Sequence, residues 1–373
     1  MKRVLLLVLN LVLFIGCAKY ENVDDTVVFY PAPPQQPKLQ FLLTINGEDD
    51  IGEPLSALQD FLVGDDRLVK KLERPYDIHS SPGKIYVLDK KFNKLFMIDL
   101  AKRKLSYLED QRLGKLTKPS GIWVTEDDIK YIADMKRKQI VVFDADNEYL
   151  RTYGKDDILG KPVDVAVYED RVYICDIDKH QIFVLDKGSG RLLATIGTAG
   201  KRDEQLYKPS HINIDKVGNI YVTDAFNFKV KKFDQNFKFV KSYGFHGDSV
   251  GAFARPKGLA VDRDNHMYVV DSAFENVQIF DAETSRILLF FGGGGAGPGK
   301  MYLPAGIHID YANADYFKNY VDKDFALEYV VYVGNMYGSN KLNVYGFGKW
   351  NGPSFSGGSN KAGDNSNGNN EAK

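Results

Sequence analysis

One pattern returns six times along the chain, and this repeat constrains the fold more than any local propensity. The copies open with "RPYDIHS" at Arg74, "KPSGIWV" at Lys118, "KPVDVAV" at Lys161, "KPSHINI" at Lys208, "RPKGLAV" at Arg255 and "LPAGIHI" at Leu303. Successive prolines are 44, 43, 47, 47 and 48 residues apart, a period suited to propeller blades and too long for helical repeats of about 34 residues. After each opening comes a second apolar segment ("KIYVLD", "IKYIAD", "RVYICD", "NIYVTD", "HMYVVD", "YVVYVGN"), with Tyr three residues before a terminal Asp or Asn. A third segment follows in every copy ("KLFMID", "QIVVFD", "QIFVLD", "KVKKFD", "NVQIFD", "KLNVYG"). A fourth follows in the first five ("KLSYLED", "EYLRTYG", "RLLATIG", "KFVKSYG", "RILLFFG"). These short β-branched and aromatic runs, parted by Gly, Asp, Asn and Lys turns, read as antiparallel strands.

The fold class is therefore all-β, a six-bladed β-propeller spanning residues 38–350. The sixth copy lacks its fourth strand, and the chain holds one unassigned strand, "KLQFLLTING" at Lys38 to Gly47. Its Thr-Ile-Asn-Gly ending mirrors "RTYG" and "KSYG". The N-terminal strand is expected to complete the last blade and so leave no open sheet edge.

The pattern P-x-G/D-I/V, then Y-V-x-D, then V-x-x-F-D resembles the NHL repeat, with six copies in register. The segments "VVFYPAPPQQPKLQFLLTING" and "RLVKKLERPYDI" further resemble a group of six-bladed propeller lipoproteins of anaerobic bacteria rich in multihaem cytochromes.

The ends add an address. "MKRVLLLVLNLVLFIGC" has two basic residues and an apolar run too short to span a bilayer, which suits a signal peptide at residues 1–16. "LFIGC" resembles the bacterial lipobox, which implies diacylation of Cys17 and a lipid-anchored chain. Ala18 in place of Asp makes the outer membrane the expected destination by the same resemblance. Residues 17–37, with Pro31, Pro33, Pro34 and Pro37, read as a lipidated, semi-extended tether. In residues 351–373, 15 of 23 are Asn, Gly or Ser, a polar tail expected to be disordered.

Composition excludes several functions. Two cysteines, one at the lipobox, give no disulfide framework, and no C-x-x-C-H offers covalent haem attachment. Basic and acidic residues balance, 49 against 50, so no general affinity for nucleic acid is expected. "GGGGAGPGKM", Gly292 to Met301, approaches a phosphate-binding loop, but Met301 stands where a hydroxyl is needed and a strand follows instead of a helix. No nucleotide is expected.

Equivalent positions in the repeat mark the candidate sites. Asp89, Asp134, Asp176, Asp224 and Asp271 end the second strands of the five copies that carry a basic residue before proline. They are expected to form structural ion pairs with those residues, since the sixth copy lacks both signs. Strand one is innermost in a propeller, so Asp77, His79, Asp164, His211, Asn213 and His308 are candidates to line the central channel. Imidazoles and carboxylates around a cavity suit metal ligation or acid-base work, or an ordinary polar lining. Peptide-amidating lyases resemble this fold, and their zinc histidines directly follow the strand-one proline. Tyr76, Ser120, Val163, Ser210, Lys257 and Ala305 occupy those places here, so that zinc site is absent. No cofactor is expected, with a channel-bound metal ion as the alternative.

Two insertions break the repeat. The first is expected to carry a short helix from Pro54 to Val63. The second enlarges the first turn of blade six with Tyr311, Tyr316, Phe317, Tyr320 and Phe325, either a partner-binding loop or packing for the propeller base. The leading expectation is a membrane-anchored, non-catalytic scaffold binding envelope proteins, extended to multihaem cytochromes by the second resemblance. The alternatives are a metal-dependent hydrolase or lyase using the channel His and Asp residues, and a receptor for a small molecule or glycan.

Overall fold

The computed structural model describes residues 27–51, 70–154 and 158–353. Cys17, the leader, the Pro54–Val63 helix and nearly all of the tail lie outside them. The described strands form six antiparallel sheets, each running from an inner first strand outward to a fourth. The inner strands are Pro75–Ser81, Pro119–Val124, Pro162–Tyr168, Pro209–Ile214, Pro256–Val261 and Pro304–Asp310. Each packs against the inner strands of its two neighbours, closing a ring.

Burial follows the radial order. Second strands are almost fully buried, as in Arg171–Asp176. Fourth strands present one face to solvent, as in Leu192–Ile196. The six apolar clusters sit mostly between adjacent blades, so each blade depends on its neighbours for its core. Crowding is greatest on the axis. A Cβ at Gly121 would lie 2.4 Å from Asp164 Oδ1, and one at Gly258 2.4 Å from the Ala305 carbonyl oxygen.

The N-terminal strand closes blade six. Residues Leu39–Ile45 run antiparallel to Leu342–Trp350, with Leu39 opposite Phe347 and Ile45 opposite Leu342. Thr44 Oγ1 donates to Asn343 Oδ1 at 2.8 Å within this seam. The ring is thus shut by pairing the two ends of the described propeller.

Two expectations need correction. The propeller starts before Lys38, because Phe29–Tyr30 forms a fifth strand outside Leu39–Ile45. Phe29 packs edge-on against Trp350 at 5.4 Å, and the Tyr30 hydroxyl donates to the Gly299 carbonyl at 3.3 Å. The prolines at 31–37 make a turn back onto the sheet, so this part of the assigned tether is folded.

The second correction concerns the repeated Asp. Among the described residues, none of Asp89, Asp134, Asp176, Asp224 or Asp271 forms an ion pair with its predicted basic partner. Each carboxylate instead accepts backbone N–H groups. Asp176 Oδ2 takes those of Gly160 (2.7 Å) and Lys161 (2.9 Å), while Oδ1 takes those of Asp178 (3.0 Å) and Lys179 (2.9 Å). Asp89, Asp134 and Asp271 repeat this arrangement. In blade six the neutral Asn335 accepts only from Tyr302 at 3.2 Å on the connector side. The basic side chains go elsewhere: the Arg74 guanidinium, for one, lies 4.9 Å from the Tyr337 ring centroid.

Charge-assisted bonds to a fully buried carboxylate are worth about 1.5–3 kcal/mol each when their partner is lost. Asp176→Ala is therefore expected to cost about 2–4 kcal/mol in urea unfolding, and Lys161→Ala under about 0.5. Equal losses would restore the ion-pair reading. Deleting Lys38 to Gly47 is expected to lower the melting temperature far more than deleting residues 27–37, because only the first deletion unpairs the Leu342–Trp350 edge. A melting curve unaffected by it would refute the closure.

Candidate functional site

The prolines that open the inner strands each precede a β-bulge. The ladder slips between Pro75 and Asp77, Pro162 and Asp164, and Pro209 and His211, with equivalent slips in the other blades. At such a bulge two residues of the inner strand oppose one of the second strand. In blades one and five the residue after proline, Tyr76 and Lys257, meets its counterpart across the ring.

The six predicted channel residues divide into two layers. Near the strand-one starts lie Asp77, Asp164 and His211. Asp77 Oδ2 accepts the Ile122 N–H at 2.8 Å, and Asp164 Oδ2 accepts the Ile212 N–H at 2.9 Å. Each carboxylate thus ties its inner strand to the next blade. Burial pushes the Asp77 carboxyl up to about 7, with its amide bonds and Lys90 opposing the shift. Burial and the neighbouring Asp77 push Asp164 up as well. His211 is buried with Nδ1 3.1 Å from Ser210 Oγ, and burial followed by Lys257 and Lys90 hold its imidazole neutral.

Further along the strands lie His79 and His308, their rings 4.0 Å apart, with Trp123 at 4.9 Å from His79. His308 Nε2 is 2.9 Å from Ser80 Oγ, and His79 Nδ1 is 3.1 Å from the Ser80 carbonyl oxygen. Burial lowers the His308 imidazole to about 3 and that of His79 well below its ordinary value. Asn213 is half-buried on the inner strand of blade four. Among the described residues, no group of three or more His, Cys, Asp or Glu is placed to hold a metal ion.

Three residues outside that prediction meet in the upper layer. The Lys90 ammonium lies over the Tyr76 ring, 2.8 Å from its centroid, and Lys257 Nζ donates to the Tyr76 hydroxyl at 3.4 Å. Tyr76 and Lys257 occupy the position directly after proline. Lys90 follows the conserved-in-repeat Asp89 on the adjoining turn. Burial and then the Lys257 charge lower the Lys90 amine to about 6, and burial and then Arg255 lower Lys257 to about 8.

The second-insertion aromatics are mostly packed away. Phe317 and Phe325 are buried, Tyr311 packs at a tilt against Tyr329 with ring centroids 4.7 Å apart, and Tyr316 meets Phe317 edge-on at 5.1 Å. Only Tyr320 stands exposed among the five, so this loop packs the propeller base. The opposite face, built from the inter-blade connectors and the turns joining strands two and three, carries several exposed apolar groups, while others lie on the outer strands and Val217 lies on the base side. Phe226 is 60% exposed, Phe245 50%, Val250 72% and Tyr302 50%. Connector position was the available signal, since these residues stand in segments that no strand pattern claims. The Gly292–Met301 connector leads into the inner strand at Pro304, and its Gly297 and Lys300 carbonyls accept side-chain bonds from Asn340.

Comparisons agree with this architecture. Residues 125–257 match the DUF5128 family model, described as a 6-bladed beta-propeller. The human NHL repeat-containing protein 3 is 27% identical over 163 residues, 40% of this chain and 47% of that protein. Peptidyl-glycine alpha-amidating monooxygenase A of Xenopus laevis is 26% identical over 169 residues, 42% of this chain and 18% of that protein. The chain thus spans under half the length of these curated relatives. A solved structure from Bacteroides thetaiotaomicron, of a protein of unknown function, is 14% identical with a TM-score of 0.56, covering 83% of this chain and 75% of that one. At that identity the likeness shows the fold alone. The protein is a six-bladed β-propeller, with part of its chain similar to NHL repeat-containing proteins.

The raised Asp77 carboxyl has a consequence for stability. Between its ordinary value near 4 and about 7, the folded chain holds a proton that the unfolded chain has released. Its contribution therefore favours folding at low pH and is lost as pH rises through that window. Asp77→Asn keeps an acceptor for Ile122 and removes the charge, so its stability relative to the parent is expected to improve from pH 4 to 7 and then level off. Asp77→Ala leaves the Ile122 N–H unpaired and is expected to cost about 1–3 kcal/mol throughout. Thermal melts across that range check both, and an Asn variant with no pH-dependent difference would contradict the assignment.

Proposed function

We propose that this protein is a non-catalytic binding scaffold, a lipid-tethered propeller of the bacterial cell envelope that docks another protein on its connector face. The observation that carries the reading is the contrast between the two faces. Exposed aromatic and apolar side chains gather on the connectors, while the aromatics of the opposite insertion are spent on internal packing. Exposed Phe and Tyr on loops held by a rigid ring suit a protein interface. The NHL-like repeat and the curated relatives support the same general role.

The channel weighs against the hydrolase or lyase alternative. Its two carboxylates hold backbone amides, and its imidazoles are paired with each other, with Trp123 and with Ser80 and Ser210. No metal cofactor forms part of the proposal. Lipidation at Cys17 and outer-membrane placement rest on the leader sequence. Resemblance to propeller lipoproteins of cytochrome-rich anaerobes makes multihaem cytochromes the partner class to test first.

Site-specific photo-cross-linking in the full lipidated chain, within native envelopes, tests the reading. Probes at Phe226 and Phe245 are expected to give a discrete protein adduct, and a probe at Tyr320 none. Adducts from Tyr320 alone, or from no position, would remove the docking face. Cys17→Ser is expected to release the chain from the membrane fraction.

A further inference from the structure

The axial mouth holds two lysine amines to which no carboxylate is hydrogen-bonded among the described residues, although the Asp77 charge acts favourably on Lys90. Lys90 reaches it from the turn after the second strand of blade one, and Lys257 from the inner strand of blade five. Both converge on Tyr76 of blade one, whose ring receives Lys90 at 2.8 Å and whose hydroxyl receives Lys257 at 3.4 Å. Neither amine makes an ion pair among the described residues. Lys118 and Arg255 act on these two amines with the same sign of charge.

Asp77 and Asp164 are the carboxyl groups that face this cluster, and both are committed to amides of the neighbouring inner strands. His211 also faces it and is neutral. Two half-buried amines without a hydrogen-bonded counter-ion hold their protons weakly, and an arriving negative group would restore that hold. Tyr76 adds a hydroxyl and an aromatic wall, and all three side chains remain partly open to solvent.

We infer that the mouth of the channel, at Tyr76, Lys90 and Lys257, is a binding site for a carboxylate group. A carboxylate placed between the two amines accepts a charge-assisted bond from each and relieves their mutual repulsion. A phosphate dianion fits less well, because it adds a second negative charge above Asp77 and Asp164. The same chemistry is carried by a small di- or tricarboxylic acid and by an acidic side chain of a docked protein. The site opens on the same face as the proposed docking surface, since Lys90 stands on a turn joining strands two and three, but its residues are complete within this chain and need no docked protein.

The test uses the folded full-length chain with its lysines isotopically labelled, titrated with succinate and separately with inorganic phosphate at constant ionic strength. Succinate is expected to shift the Lys90 and Lys257 side-chain signals together and to raise the pH at which both amines titrate. Lys90→Met and Lys257→Met are each expected to weaken succinate at least tenfold, whereas Lys91→Met, an exposed neighbour, leaves it unchanged. A Glu-bearing peptide that displaces succinate where its Gln counterpart does not would assign the carboxylate to a protein partner. Displacement by neither would assign it to a free acid. No shift of the two lysines in the unsubstituted protein, tighter binding of phosphate than of succinate, or equal loss in Lys91→Met would overturn the inference.

Discussion

The structure depends on a buried carboxylate that fixes the start of the inner strand in five of the six blades. In blade three, Asp176 binds two amides on the incoming connector and two on the adjoining turn, so one side chain sets the geometry of both segments. With those amides held, proline can begin the inner strand where its missing N–H costs nothing. At the bulge just after it, two inner-strand residues oppose one of the second strand. Staple, proline and bulge form one local device, and its repetition places residues from every blade on a common axis. Blade six shows how far the device tolerates change: Asn335 lacks charge and its Nδ2 has no partner, yet its connector is still bonded at Tyr302 and the sheet remains in register.

The architecture was legible because each strand is written several times. "YVVD", "YVTD" and "YICD" say little singly, but their alignment gives strand order, blade number and the missing outer strand of blade six. The strand beginning at Lys38 was placed by subtraction, and its pairing with Leu342–Trp350 follows from closing the ring. Its companion at Phe29–Tyr30 escaped notice because a two-residue strand has no period. The prolines between the two read as an extended spacer, because the contacts of Phe29 with Trp350 and of Tyr30 with Phe291 and Tyr345 carry no signature in the sequence.

Side-chain roles were less legible than backbone positions. The joint loss of the basic residue and Asp in the sixth copy suggested pairing of opposite charges, yet the carboxylate's partners are amides, which carry no signature in the sequence. The channel histidines and aspartates were rightly placed on inner strands, but alternation alone could not show the bulge that follows each proline. Lys257 and Tyr76, directly after proline, carry no sign in the alternation pattern that they meet across the ring. Lys90 was harder still, since it enters from a turn and meets Tyr76 only in three dimensions.

What separates the acids from the amines in the channel is the availability of internal partners. A backbone N–H can satisfy a carboxylate, and the crowded axis supplies such groups where glycine lets neighbouring strands approach, as at Gly121 beside Asp164. An ammonium needs acceptors, and the one hydrogen bond the two amines make among the described residues is that of Lys257 to the Tyr76 hydroxyl. The inner-strand amides that engage Asp77 and Asp164 are donors and offer Lys90 and Lys257 nothing. Inner-strand carboxylates therefore become structural, while cations at the mouth keep unused binding capacity. This asymmetry follows from strand pairing around a closed ring, and it locates the chemistry of this propeller at its axial rim rather than among its buried acids and imidazoles.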